Sequence, residues 1–204
     1  MISEGYAGIG LSMMRFVCAF LLLLIGSWPA LARAAEVELV KLDFDLVEAP
    51  GGRDPWYQIA LTLSVERGER ASGANPRFMD DLEVRFSFAT SAETQAGLRY
   101  RFYSAAAEYP TLEVGRHVVR YYLPPELVKR DRVRGEPFAF VAEVLAGEDV
   151  VESVLSDNLK DRSNLANFRE RLRSGENSVL RLQDETPFAW SSPRDTPVAK
   201  RRQF

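Results

Sequence analysis

Residues 113–134 read Glu113-Val-Gly-Arg-His-Val-Val-Arg-Tyr-Tyr-Leu-Pro-Pro-Glu-Leu-Val-Lys-Arg-Asp-Arg-Val-Arg134. From Val114 to Leu123 the stretch is rich in β-branched and aromatic side chains, the composition that fits a pleated, half-buried strand. Its alternation puts Val119, Tyr121 and Leu123 on one face and Val118, Arg120 and Tyr122 on the other. Pro124 and Pro125 then end the strand, because proline has no amide hydrogen for a ladder, and the chain turns into the charged segment 126–134.

Similar short strands lie on either side. In residues 37–47, Glu38, Val40, Leu42, Phe44 and Leu46 form the expected inward face, and the turn-rich stretch from Ala49 to Pro55 follows. Tyr57, Ile59, Leu61, Leu63 and Val65 are the core set of the next strand. Leu82, Val84, Phe86 and Phe88 are that of the third, after a Gly- and charge-rich loop between Glu66 and Arg77. Leu98 to Ala105 reads as a fourth strand, with 106–112 as a connection. The runs 137–146 and 150–155 flank Gly147-Glu148-Asp149 and read as a hairpin. Leu165, Phe168 and Leu172 have helical spacing, with Ser163 as the N-cap and Gly175 as the stop, and Ser178 to Leu182 is a last strand.

Seven or eight strands without βαβ alternation predict an all-β fold: an immunoglobulin-like antiparallel β-sandwich with one short C-terminal helix. A partly open barrel is the alternative. The inward residues Phe44, Leu61, Phe86, Tyr121 and Phe140 carry its expected core.

The 204 residues are 46% hydrophobic and 11% aromatic, enough for one domain with a sizeable core. The net charge of -3 argues against nucleic acid as a partner, since phosphate binding needs a basic face. Arg15, the apolar run from Phe16 to Gly26, the breaker Ser27-Trp28-Pro29 and small-x-small frames ending at Ala32 and Ala34 have the form of a secretory signal peptide. The run is short for a membrane span, so the expected tie to the membrane is only through an uncleaved leader. Cys18 lies early in the run, not behind a lipobox, and no pilin-type cleavage site is present. Cys18 is the one cysteine, so a cleaved chain holds no disulfide and relies on core burial. The expected organisation is a signal peptide at 1–34, a sandwich at 35–185 and a disordered, Pro-rich, basic tail at 186–204. The expected location is the periplasm or cell surface.

No motif carries a chemistry. His117 is the single histidine, sits in a strand and has no Gly-x-Ser-x-Gly turn to serve. Asp80-Asp81, Asp157 with Asp161, and Glu148-Asp149 lack calcium-loop spacing and read as turn and cap residues. The sequence therefore points to no enzyme, no cofactor and no metal. Trp56-Tyr57, the stretch Tyr100 to Tyr103, and Tyr121-Tyr122 would offer stacking faces to a glycan where they are exposed, which makes a carbohydrate-binding module of the cell envelope the second reading. The corner behind Pro124-Pro125 has two readings: prolines that only end the strand, or a stiff docking site with Tyr122, Arg130 and Arg132 as its contact residues.

Asn75-Pro-Arg-Phe-Met-Asp-Asp-Leu82, Tyr122-Leu-Pro-Pro-Glu-Leu-Val-Lys-Arg-Asp131 and Pro137-Phe-Ala-Phe140 resemble segments of a family of secreted pilus-associated proteins of verrucomicrobial bacteria. The resemblance runs over most of the chain after the leader. It implies an immunoglobulin-like sandwich encoded beside secretin and inner-membrane components of a type IV pilus-like system, and no catalytic residues. The first reading is thus an exported, non-enzymatic interaction protein with a protein partner in the cell envelope.

Overall fold

The computed structural model describes residues 36–66, 77–94, 97–173, 179–191 and 196–201. The leader read at 1–34 with its cleavage positions, most of the loop before Arg77, Gly175 and Ser178 lie outside the described residues. Nine strands are described: β1 (Glu36–Glu48), β2 (Pro55–Glu66), β3 (Phe78–Thr94), β4 (Gly97–Glu113), β5 (Gly115–Leu123), β6 (Ala139–Ala146), β7 (Asp149–Leu155), β8 (Arg181–Leu182) and β9 (Lys200–Arg201). Two short helices are α1 (Pro125–Asp131) and α2 (Arg162–Leu172).

One sheet has the order β1-β2-β5-β8 and the other β7-β6-β3-β4-β9. Every neighbouring pair is antiparallel. This is the expected all-β immunoglobulin-like sandwich, with a second helix in addition to the expected one. Its interior is the strict alternation of β2 and β3: Tyr57, Ile59, Leu61 and Leu63 face Val84, Phe86 and Phe88, all fully buried.

Strand β1 departs from its expected phase. A bulge between Leu39 and Lys41 inserts Val40 as an extra residue. Val37 and Leu39 therefore turn inward before it, Leu42 and Phe44 after it, while Val40 and Leu46 are 45% and 46% exposed. A bulge shifts the side-chain period by one and so flips every later residue to the other face. Strand β4 runs through residues 106–112, expected as a connection. Its Ala105-Ala106-Ala107 run has weak strand propensity but is buried and fully paired with β3.

The charged segment after Pro124 is helical rather than a turn. Pro125 occupies the first helical position, where its missing amide costs nothing, and the amides of Leu127 and Val128 donate to the Pro124 carbonyl. Seven residues are too few to show helical periodicity. In α2 the cap is Asp161, not Ser163: its carboxylate accepts from the amides of Ser163 and Asn164. Phe168 drives this helix onto the outer face of the second sheet, among Ala89, Ala139, Val141 and Leu159.

The last strand expected at Ser178 to Leu182 is seen as β8, which pairs with β5. In the stretch from residue 186, expected to be disordered, the described residues are fastened down, and β9 pairs with the edge strand β4. Arg201 pairs with Glu185 at 2.7 Å and donates to the Leu180 carbonyl at 2.8 Å. Phe188 is buried against Tyr122, ring centres 4.7 Å apart, and edge-on to Trp56. The prolines hid this because they break strand pattern without preventing an apolar side chain from docking.

Candidate functional site

The corner proposed from the sequence exists, with a different set of side chains on its surface. Tyr122 is 1% exposed: it lies on the outer face of β5, stacked under Phe188, and its hydroxyl accepts from the Gln58 amide at 2.7 Å. It is therefore unavailable to a partner while the C-terminal segment is in place. Arg130 and Arg132 do lie on the corner, at the end of α1; the Arg130 side chain is paired with Asp131, and that of Arg132 has no partner among the described residues.

What holds the corner is Asp131, a buried carboxylate. Tyr103 of β4 donates to its Oδ2, and Arg130 donates from Nε to Oδ1 at 3.0 Å and from Nη2 to Oδ2 at 2.9 Å. Arg101 lies 3.8 Å away. Burial, then the bond to Asp131, pushes the Tyr103 hydroxyl well above its ordinary value, so it remains a donor. A buried charge is tolerated when paired and hydrogen-bonded in this way. The result is a short helix locked to the second sheet.

Beyond the lock, Arg132 takes a left-handed conformation (φ 53°) and its amide closes the helix on the Val128 carbonyl. Lys129 pairs with Asp54 at 2.7 Å. The side chains of Arg132 and Arg134 are exposed and, among the described residues, form no ion pair or hydrogen bond. They line a cleft of about 200 Å³ together with Thr90, Asp131, Glu136 and Phe138. Thr90 Oγ1 is buried there without a hydrogen-bond partner.

Phe138 also lines a second, larger depression of about 490 Å³ on the outer face of the same sheet. Its apolar wall is Tyr100, Phe102 and Phe138, and its polar rim is Asp157, Asn158, Asp161, Asn164, Asn167 and Arg171. Tyr100 and Phe138 have ring centres 5.2 Å apart, and Phe138 is 45% exposed. The rim is braced by Asn158 Nδ2 donating to the Phe138 carbonyl at 2.6 Å and Asn164 Nδ2 donating to the Asn158 carbonyl at 3.1 Å. Cleft and groove thus meet at one aromatic residue. Of the aromatic groups singled out in the sequence, Tyr57, Tyr103, Tyr121 and Tyr122 are buried, and Tyr100 and Phe102 reach the groove.

His117 makes a 2.6 Å contact through Nε2 with the Glu113 carbonyl. Among the described residues no group of three or more His, Cys, Asp or Glu is placed to hold a metal, and no helix is long and apolar enough to cross a membrane.

Fold and site define an immunoglobulin-like β-sandwich with a basic corner beside an aromatic groove. No family model and no curated protein matches the chain. Among solved structures it is similar to a crystal structure from Akkermansia muciniphila, with a TM-score of 0.62 and 19% identity, covering 83% of this chain and 95% of that one. At that identity the likeness establishes a shared fold.

Proposed function

We propose that this chain is an exported, non-enzymatic interaction protein, accessory to a type IV pilus-like or secretion apparatus of the cell envelope. The observation that carries the interaction role is the corner itself. Asp131, Tyr103 and Arg130 are used to hold the backbone, which leaves Arg132 and Arg134 displayed on a fixed frame beside Phe138. Arginine and aromatic side chains dominate protein interfaces, because they combine apolar area with directed hydrogen bonds, and a fixed backbone beneath them adds no ordering cost of its own. The pilus-like setting draws on the sequence resemblance, and a match of fold in a verrucomicrobial bacterium is consistent with it.

The test is site-directed photo-cross-linking in the native host. A cross-linking amino acid at Arg134 should capture a component of the envelope apparatus, and the same group at Glu152 on β7 should not. Equal capture from both positions, or capture of cytoplasmic proteins alone, overturns the proposal. A second reading, a carbohydrate-binding module, is favoured by Tyr100, Phe102 and Phe138 lining one groove.

A further inference from the structure

We infer that the partner presents an acidic, extended peptide segment with an apolar side chain, bound across the cleft and groove. Its carboxylates pair with Arg132 and Arg134, and its apolar side chain lies against Tyr100 and Phe138. This rests on the interaction reading above and specifies the chemistry of the partner.

The whole chain is acidic at -3, yet Lys129, Arg130, Arg132 and Arg134 fall within six residues. Asp54 and Asp131 neutralise the first two, and the remaining two guanidiniums face solvent on a cleft where they outnumber the one exposed carboxylate that lines it with them, Glu136. A guanidinium is matched in shape to a carboxylate, which accepts two parallel hydrogen bonds from it. The backbone of Arg132 is also fixed, since the left-handed residue closing α1 cannot leave that conformation without opening the helix end, and this sets where its guanidinium starts from.

Phe138 belongs to both depressions, so a ligand seated on the arginines meets an exposed aromatic face at once. A neutral glycan would fill the groove and leave both guanidiniums unused. A phosphate has a weaker claim on the groove than it would at a bare helix start, because Asp161 already occupies the first amides of α2 and sets a negative charge there.

The test is fluorescence anisotropy on the full chain with a labelled pool of hexapeptides carrying two acidic residues beside one randomised apolar residue. A pool with lysines in the acidic positions, trigalacturonate and chitotriose serve as competitors. The acidic pool should bind, and raising salt from about 0.05 to about 0.5 M should weaken it several-fold. Arg132→Asn combined with Arg134→Ala should weaken it by about tenfold or more, and Phe138→Ala by about fivefold. Asparagine tolerates the left-handed backbone at 132, and thermal unfolding verifies that each variant is folded. Equal binding by the arginine variant overturns the inference, as does preference for the lysine pool, no anisotropy change with the acidic pool, or displacement of the bound peptide by either sugar at lower concentration than by the unlabelled acidic pool. If cross-linking from Arg134 still reaches the envelope apparatus while no acidic preference is found, the partner chemistry is wrong and the interaction role stands.

Discussion

At the C-terminal end of β5 both faces are buried, by different means. Val119, Tyr121 and Leu123 look into the sandwich and are covered by β3 and its neighbours, in strict period two. On the opposite face Tyr122 is covered by Phe188 from a segment with no strand pattern, joined by Trp56 and Ala49. The inner face follows from local alternation and the outer one from a contact between residues far apart in the chain. Burial from alternation is redundant, since each side chain is flanked by others of the same set. Burial under the C-terminal segment hangs largely on one ring.

The largest effect that sharpens this contrast is alkaline unfolding. Burial pushes the hydroxyls of Tyr57, Tyr103, Tyr109 and Tyr121 above the ordinary 10.0. Tyr57 donates to the Gly135 carbonyl and Tyr121 to the Val84 carbonyl, both at 2.7 Å, bonds that ionisation abolishes. In the unfolded chain these groups ionise near 10, whereas the fold keeps their protons. Stability is therefore full below that value and falls as pH rises through it. Tyr122 is also raised by burial, but the Gln58 bond and Arg120 oppose the shift, so the outer layer contributes less. Denaturant titrations between about pH 8 and about pH 11.5 should show the midpoint falling above about 10. A flat profile breaks the claim that the inner tyrosines are sealed.

A paired truncation comes next. Phe86 touches Phe44, Phe88, Tyr121 and Phe140 inside the sandwich, so Phe86→Ala should destabilise by about 3–5 kcal/mol. Phe188→Ala should cost less, about 2 kcal/mol, because the surface layer can close over the gap. It should also expose Tyr122, which a rise in its reactivity toward iodination would register. Equal losses would mean that the C-terminal segment is part of one cooperative core.

The same contrast explains what the sequence made legible. Alternation set the phase of β2, β3 and β5 and the β6–β7 hairpin. It failed in β1, where one bulged residue inverts the pattern, and in β4, where three alanines carry no strand signal. At the corner, the strand end at Pro124-Pro125 and the exposure of Arg132 were legible because they are local. Tyr100 and Phe138 stand 38 positions apart in the chain and meet only through the pairing of β3 with both β4 and β6. No local pattern encodes that meeting. Tyr122 was misread as exposed because its cover comes from Phe188, in a stretch whose prolines suggest disorder.

The smallest effect concerns the place where the inner face runs out. The inward phase of β3 passes through Leu82, Val84, Phe86 and Phe88 and next reaches Thr90, whose hydroxyl is buried without a partner at the cleft. A buried hydroxyl that gains no hydrogen bond carries its desolvation cost uncompensated, and valine has the same shape without it. Thr90→Val should therefore raise stability by about 1 kcal/mol, seen as a higher denaturant midpoint with an unchanged slope. Acidic-peptide binding should be unaffected, because the contacts assigned to that ligand are Arg132, Arg134, Tyr100 and Phe138. A loss of stability of similar size would show that the hydroxyl is hydrogen-bonded in solution and that the polar end of β3 belongs to the architecture. A loss of peptide binding at unchanged stability would instead place Thr90 within the site and extend the recognition surface from the corner onto the sheet beneath it.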